Sequence, residues 1–394
     1  MRGSLPDSRH LLRPLCLLLL SLPGFAQDGG RVLETEVGLG LNSRRTMLVN
    51  RSELTTGREV ETGRKVFQQL LTTSFVRAGD AFPYQLTILD GDEINAVSYA
   101  GGQILAEGGI ARLMNRSPGL WAAILSHEIA HTLLHHHFRA HLRQEVIREQ
   151  MSHYRQRQAA GDASATWALL ALQLSGGLAG LKLSRDEEHE ADRLGLLMMA
   201  EAGYHPDFAI AGFRRIASRT GDLSKLRAFF ATHPRWETRE QRQMKAYDEA
   251  RAIFEANWPN AAKSPGGQPP VIATILGVAA EKTRADRAAL IRGTLHVRNA
   301  QNRTIFVVVR FFHRGQPVPV ATDAPESYQI GGTGLETGFR ATLTSASETT
   351  GIALTIPTAV IGIRERSLRA RLSVLDGEGN IVDSTREFSV DFPE

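Results

Sequence analysis

The chain has 394 residues, 42% of them apolar and 22% charged. That balance excludes a disordered polyelectrolyte and a polytopic membrane protein, and the length corresponds to two or three domains at roughly 100 to 200 residues each. The single cysteine, Cys16, excludes an internal disulfide framework and any metal site built from two or more thiolates, so a metal here must rely on His, Asp or Glu.

The N-terminus predicts export. Arg2, Arg9 and Arg13 precede the apolar run Leu15-Cys16-Leu17-Leu18-Leu19-Leu20-Ser21-Leu22, and Gly24-Phe25-Ala26 supplies small residues before a cut near Ala26. Basic, apolar and small-residue regions in that order read as a secretory signal peptide over residues 1–26. The alternative, a transmembrane anchor, needs about 20 apolar residues, roughly twice what the run offers. Removing residues 1–26 takes Arg2, Arg9, Arg13 and Asp7, so 46 basic and 42 acidic residues become 43 and 41. A nearly neutral mature chain without a basic stripe argues against nucleic-acid binding.

Residues 31–52 are mixed and show no clear period. The spacing of Val60, Val66, Leu70 and Leu71 predicts a helix over 53–73. Residues 84–89 alternate as a strand closed by Asp90-Gly91-Asp92, and residues 96–105 form a second strand interrupted by Gly101-Gly102. Paired glycines in a strand suit an edge that another backbone approaches closely, or equally a simple bulge or turn. Beyond Ser117-Pro118, residues 119–143 have helical periodicity and a charged helical stretch continues over 139–158. Residues 167–183 are apolar but contain Gln173, Ser175 and three glycines. They read as a buried helical hairpin, with a membrane-associated loop as the alternative. Helices are predicted over 184–202, 207–219 and 237–258.

The texture then changes. Pro259, Pro265, Gly266, Gly267, Pro269 and Pro270 mark a linker, placed at 261–272, and period-two alternation follows at 294–298, 305–312, 341–344, 352–356, 368–375 and 381–392. Short strands at that spacing predict a β-sandwich over 273–394.

The chemistry concentrates in His127-Glu128-Ile129-Ala130-His131. On a helix, residues four apart share a face, so two imidazoles can converge on one metal ion. Glu128 points elsewhere and suits the role of general base toward a metal-activated water. An ordinary amphipathic helix is the competing reading, but Trp121, Ile124, Leu125, Ile129, Leu133 and Leu134 make this helix apolar on most sides, which would bury these polar groups without purpose unless they bind something. A catalytic zinc takes three protein ligands, so a third must lie elsewhere. The acidic stretch 186–192 offers Glu187, Glu188 and Glu190, among which spacing does not choose. Glu188 and Asp192, four apart, would let one bind metal while the other hydrogen-bonds a ligand imidazole.

Residues 184–192, SRDEEHEAD, resemble the SRxxExxxD signature of the M48 metallopeptidases, the family of the CAAX prenyl proteases, the HtpX heat-shock protease and periplasmic relatives. The resemblance implies Glu188 as third zinc ligand, Asp192 as its support, and Glu190 as a solvated helix residue. The segment NAVSYAGG at 95–102 looks like the family's NAxxxxGG strand, where an edge strand receives the substrate; by this likeness Ser98, Tyr99, Gly101 and Gly102 are substrate-binding. Thr232-His233-Pro234 with Arg239 resembles HPxxxxR, which implies that His233 steadies the oxyanion or caps the zinc; a plain loop histidine is the other reading. The likeness runs from about residue 30 to 258 and leaves the β-region uncovered. His135, His136, His137 and His141 are read as a solvated or site-rim face rather than a second metal site.

These observations together predict an α+β chain: a mainly helical zincin-type metallopeptidase domain with a small β-sheet over 27–260, followed by an all-β sandwich. The expected function is a metalloendopeptidase with one Zn2+ per chain, held by His127, His131 and Glu188, acting on polypeptides bound as extended strands in the periplasm or outside the cell. No nucleic-acid partner and no stable membrane span are expected, and an envelope partner could use the β-domain. The alternative is a zinc-containing binding or scaffold protein whose site is capped and whose work is done by the β-domain.

Overall fold

The structure, a computed structural model, describes residues 29–162, 164–167, 169, 183–218, 244–283, 287–329 and 334–393. The signal-peptide segment 1–26, most of 167–183, and His233 with Arg239 lie outside the described residues. Two compact units separate, one within Met1–Gly212 and Thr220–Gln268, the other within Phe213–Arg219 and Pro269–Glu394. No helix among the described residues is long and apolar enough to cross a membrane.

The first unit opens with α1 (Gly29–Leu48), α2 (Arg58–Leu71) and α3 (Ser74–Ala78), followed by β1 (Gln85–Leu89), β2 (Ala96–Tyr99), β3 (Gln103–Glu107) and α4 (Gly108–Met114). Next come α5 (Pro118–Leu133), α6 (His136–Ala159), α7 (Arg185–Glu201), α8 (Asp207–Ser218), counted with the first unit only up to Gly212, and α9 (Met244–Asn257). The strands form one sheet in the order β1-β3-β2, with β3 parallel to β1 and antiparallel to β2 in the register Ser98↔Ile104. Strand β2 is therefore an edge and β3 the centre.

Three expectations change. Residues 31–52, which show no period, are largely helical in α1. Its buried positions Glu36 and Gly40 carry no apolar stripe, which is what periodicity detects. The strand expected over 96–105 is a hairpin instead: Gly101 (φ 67°) and Gly102 (φ 86°) take left-handed backbone and fold β3 back on β2. A Cβ on Gly101 would stand 2.5 Å from the Val37 Cα, so the backbone that approaches this glycine is the chain's own α1. The helix expected over 119–143 is two helices, because His135 adopts φ 53° between α5 and α6.

In the second unit, β4 (Ile272–Thr283), β5 (Ala288–Arg298) and β9 (Ser347–Pro357) make a three-stranded sheet in the order β4-β5-β9. The other sheet has six strands, β6 (Thr304–His313), β7 (Gln316–Pro317), β8 (Glu336–Thr342), β10 (Ser367–Leu375), β11 (Ile381–Ser384) and β12 (Phe388–Asp391). Strand β10 pairs with β6, β11 and β12, and β6 also with β7 and β8. Ile291, Leu295 and Val297 from the first sheet share one core with Val307, Val309, Phe311, Leu372 and Val374 from the second. This is the expected mixed α+β chain with a strand-rich C-terminal region. Strand β4 escapes sequence reading because beyond Ile272 and Ala273 its side chains are half-buried or exposed, and a bulge near Gly277 shifts its register.

Candidate metal centre

Helix α5 starts where the sequence says it should. Ser117 accepts the Leu120 N–H with its hydroxyl and Pro118 fills the first helical position. Every side chain of α5 from Leu120 to Leu133 is buried, Trp121 completely. Helix α7 begins with a capping box: the Ser184 N–H donates to Glu187 Oε2 at 2.8 Å and the Glu187 N–H to Ser184 Oγ at 3.1 Å. Glu188, Asp192 and Gly195 follow at positions that share one helical face. A Cβ on Gly195 would lie 3.1 Å from the His127 backbone nitrogen, so this glycine is what allows α7 to pass close against α5 at the level of the site.

That crossing brings His127, His131 and Glu188 together, and all three are buried. His127 Nε2 lies 3.0 Å from His131 Nε2, while the Glu188 oxygens lie 3.6 Å from each of these nitrogens. Ligands about 2.0–2.1 Å from a tetrahedral metal stand about 3.3 Å from one another, so the donor set has the spread that zinc needs. Asp192 Oδ1 accepts from His127 Nδ1 at 3.1 Å, which leaves Nε2 turned to the other two donors. Electrostatics agree. Burial opposes charge on His127, yet hydrogen bonds to Asp192 and Glu188 raise its pKa to about 9, whereas burial and the neighbouring His127 push His131 well below its usual value. Two buried imidazoles facing the carboxylates of Glu188 and Asp192 make a donor set that a cation fits.

Glu128 is turned to the sheet. Its Oε2 accepts the Ser98 N–H at 2.7 Å and the Ser98 hydroxyl at 3.0 Å, with both residues buried. Because Ser98 stands on β2, this N–H belongs to the outer edge of the sheet. Tyr99 is half-buried beside it. Of the glycines expected to meet substrate, Gly101 lies against α1, and a Cβ on Gly102 would stand 3.0 Å from Phe82 Cβ.

The candidate carboxylates separate by position. Glu188 enters the cluster, Glu187 serves the cap and pairs with Arg143 at 3.1 Å, and Glu190 lies 3.1 Å from His136. Burial raises the Glu187 carboxyl, but the Ser184 and Arg143 hydrogen bonds outweigh it and hold the group low. Of the extra histidines, read as a solvated or site-rim face, His136 is not solvated: it is completely buried at the border of the cluster, with Nδ1 2.8 Å from His131 Nδ1. Burial and the nearby Arg139 lower its pKa to about 2, so it is neutral. The reversal of the backbone at His135 turns His136 inward, and a continuous helix through 119–143 conceals it. His135 itself pairs with Glu36 and Asp80, and His141 lies 3.9 Å from Glu145.

Residues 62–245 match the model of peptidase family M48. Among curated proteins, the beta-barrel assembly-enhancing protease of Yersinia pestis is 26% identical over 171 residues, covering 39% of this chain and 32% of that protein. The mitochondrial metalloendopeptidase OMA1 of Schizosaccharomyces pombe is 31% identical over 159 residues, covering 38% and 43%. The beta-barrel assembly-enhancing protease of Escherichia coli K12 is 25% identical over 176 residues, covering 40% and 33%. The chain spans less than half the length of these relatives. The matched residues carry the buried donor cluster of α5 and α7, and this part of the chain is similar to peptidase family M48.

Proposed function

We propose that the protein is an exported zinc metalloendopeptidase that hydrolyses extended or misfolded polypeptides. The observation that carries this reading is the convergence of His127, His131 and Glu188 on one buried point, with Glu128 held beside it by the edge strand. These three residues would hold one zinc ion, which when bound polarises the scissile carbonyl and acidifies a water. Glu128 takes a proton from the attacking water and delivers it to the leaving amine. Ser98 fixes the carboxylate for that transfer, and Asp192 fixes the His127 ring. The substrate is taken up as an added strand along β2, at Ser98 and Tyr99, so that backbone rather than side chains is recognised and unfolded segments are favoured. Names of relatives that refer to β-barrel assembly support action on proteins of the cell envelope after export. By its resemblance to HPxxxxR, His233 is assigned to steadying the oxyanion. The β-domain at 273–394 is assigned a separate role, holding an envelope partner.

Casein hydrolysis by the wild type and by Glu128→Gln tests the chemistry. Removing a general base lowers kcat by roughly 10²–10⁴-fold. Equal activity in both proteins refutes the proposal, and one equivalent of bound zinc with no peptidase activity favours the binding-protein alternative.

A further inference from the structure

Behind His131 lies a second pair of groups that the proposed chemistry leaves unused. His136, completely buried, has Nε2 3.1 Å from Glu190 Oε2 and Nδ1 2.8 Å from His131 Nδ1. A carboxylate oxygen only accepts, so the hydrogen on the first contact belongs to His136 Nε2. A neutral imidazole protonated there carries its lone pair on Nδ1. The second contact then needs its hydrogen on His131 Nδ1, and this leaves the His131 lone pair on Nε2, the nitrogen that faces His127 and Glu188. Arg139 stands 3.7 Å from Glu190 Oε2 and restrains a carboxylate that is otherwise half-exposed.

We propose that Glu190, acting through His136, fixes the tautomer and ring orientation of His131 and thereby sets the affinity of the metal centre. The inference rests on the metal-site reading above. His136 and Glu190 are positioning residues in this scheme: neither touches metal or substrate. The two imidazoles of the cluster are then set in parallel fashion. His127 donates from Nδ1 directly to Asp192, and His131 donates from Nδ1 to His136, which donates in turn from Nε2 to Glu190. An acceptor on the far nitrogen of a ligand imidazole also raises the basicity of the ligating one.

The test measures zinc affinity of the full chain by competition with a chromogenic chelator, after far-UV circular dichroism has shown each variant to be folded. His136→Leu removes the acceptor facing His131, and Glu190→Leu removes the terminal acid at a half-exposed position where folding is not at stake. Loss of such outer partners weakens metal binding by roughly 10–100-fold, the range expected for His136→Leu, with about tenfold for Glu190→Leu. His136→Asn, whose amide oxygen can take the place of Nδ1 as acceptor, should recover most of the affinity, which a purely space-filling role does not predict. If the wild type binds zinc and both leucine variants bind it within twofold as tightly, the relay is refuted while the metal site stands. If the wild type takes up no zinc, the metal-site reading fails and the relay with it.

Discussion

His135 provides a test in which pH separates electrostatics from packing. Its imidazole is mostly buried, with Nδ1 2.7 Å from Glu36 Oε2 on α1 and Nε2 3.3 Å from Asp80 Oδ2 beyond α3, and the Phe82 ring packs edge-on against it. Burial alone would lower its pKa, but the hydrogen bonds to Asp80 and Glu36 outweigh burial and hold it at about 9. A folded-state pKa above the unfolded value of about 6.5 means the contribution to stability is complete below pH 6.5 and disappears as pH rises through 9. Between pH 7 and 9.5 the loss is on the order of 2 kcal/mol. For a unit of more than 200 residues that corresponds to roughly 5 °C in Tm. His135→Asn is the suitable perturbation, since asparagine tolerates the left-handed backbone at φ 53° while removing the charge. Among the described residues the tryptophans, Trp121, Trp167 and Trp258, all belong to the first unit, and Trp121 is completely buried there, so thermal melts followed by tryptophan fluorescence report on that unit. The wild type should lose about 5 °C more than the variant across that pH range, with the two curves converging at the alkaline end. Parallel curves would refute the assignment of charge to His135.

Two further outcomes are expected. Ser98→Ala removes one of the two donors to Glu128 Oε2 while the backbone N–H remains; a hydrogen bond to a charged group contributes about 1.5–3 kcal/mol, so kcat toward casein should fall about tenfold with KM little changed. Gly101→Ala would place a Cβ 2.5 Å from Val37 Cα and 2.8 Å from Glu36 O on a left-handed backbone. Separation of α1 from the hairpin and the strained φ should together cost about 2–4 kcal/mol, visible as a lower urea midpoint for the tryptophan-reported transition.

Much of the centre is legible in residue order because helical spacing is a local property. The four-residue steps from His127 to His131 and from Glu188 to Asp192 need only the helix to be correct. The choice of Glu188 over Glu187 and Glu190 is different: it depends on the capping box at Ser184, the Arg143 pair and the Gly195 contact, all of which are set by how α7 meets other parts of the chain. Two features escaped for related reasons. Helix α1 buries a glutamate and a glycine in place of an apolar stripe, so nothing in its composition marks an inner face. His136 is hidden by the break at His135, where a non-glycine residue reverses the backbone without any of the usual turn residues.

Helix α7 also says where this protein can and cannot absorb changes in length. Between Ser184 and Gly195 the same twelve positions carry the cap, the cluster carboxylate, the support for His127, the acid behind His136 and the glycine that touches α5. Each faces its task only at its present angle around the helix axis. One inserted or deleted residue turns everything beyond it by about 100°. A slip between 188 and 192 would send Asp192 away from His127 and set a side chain against α5 where Gly195 now fits. This stretch is therefore fixed in length as well as in composition, and length variants that retain a metal centre should carry their insertions outside it.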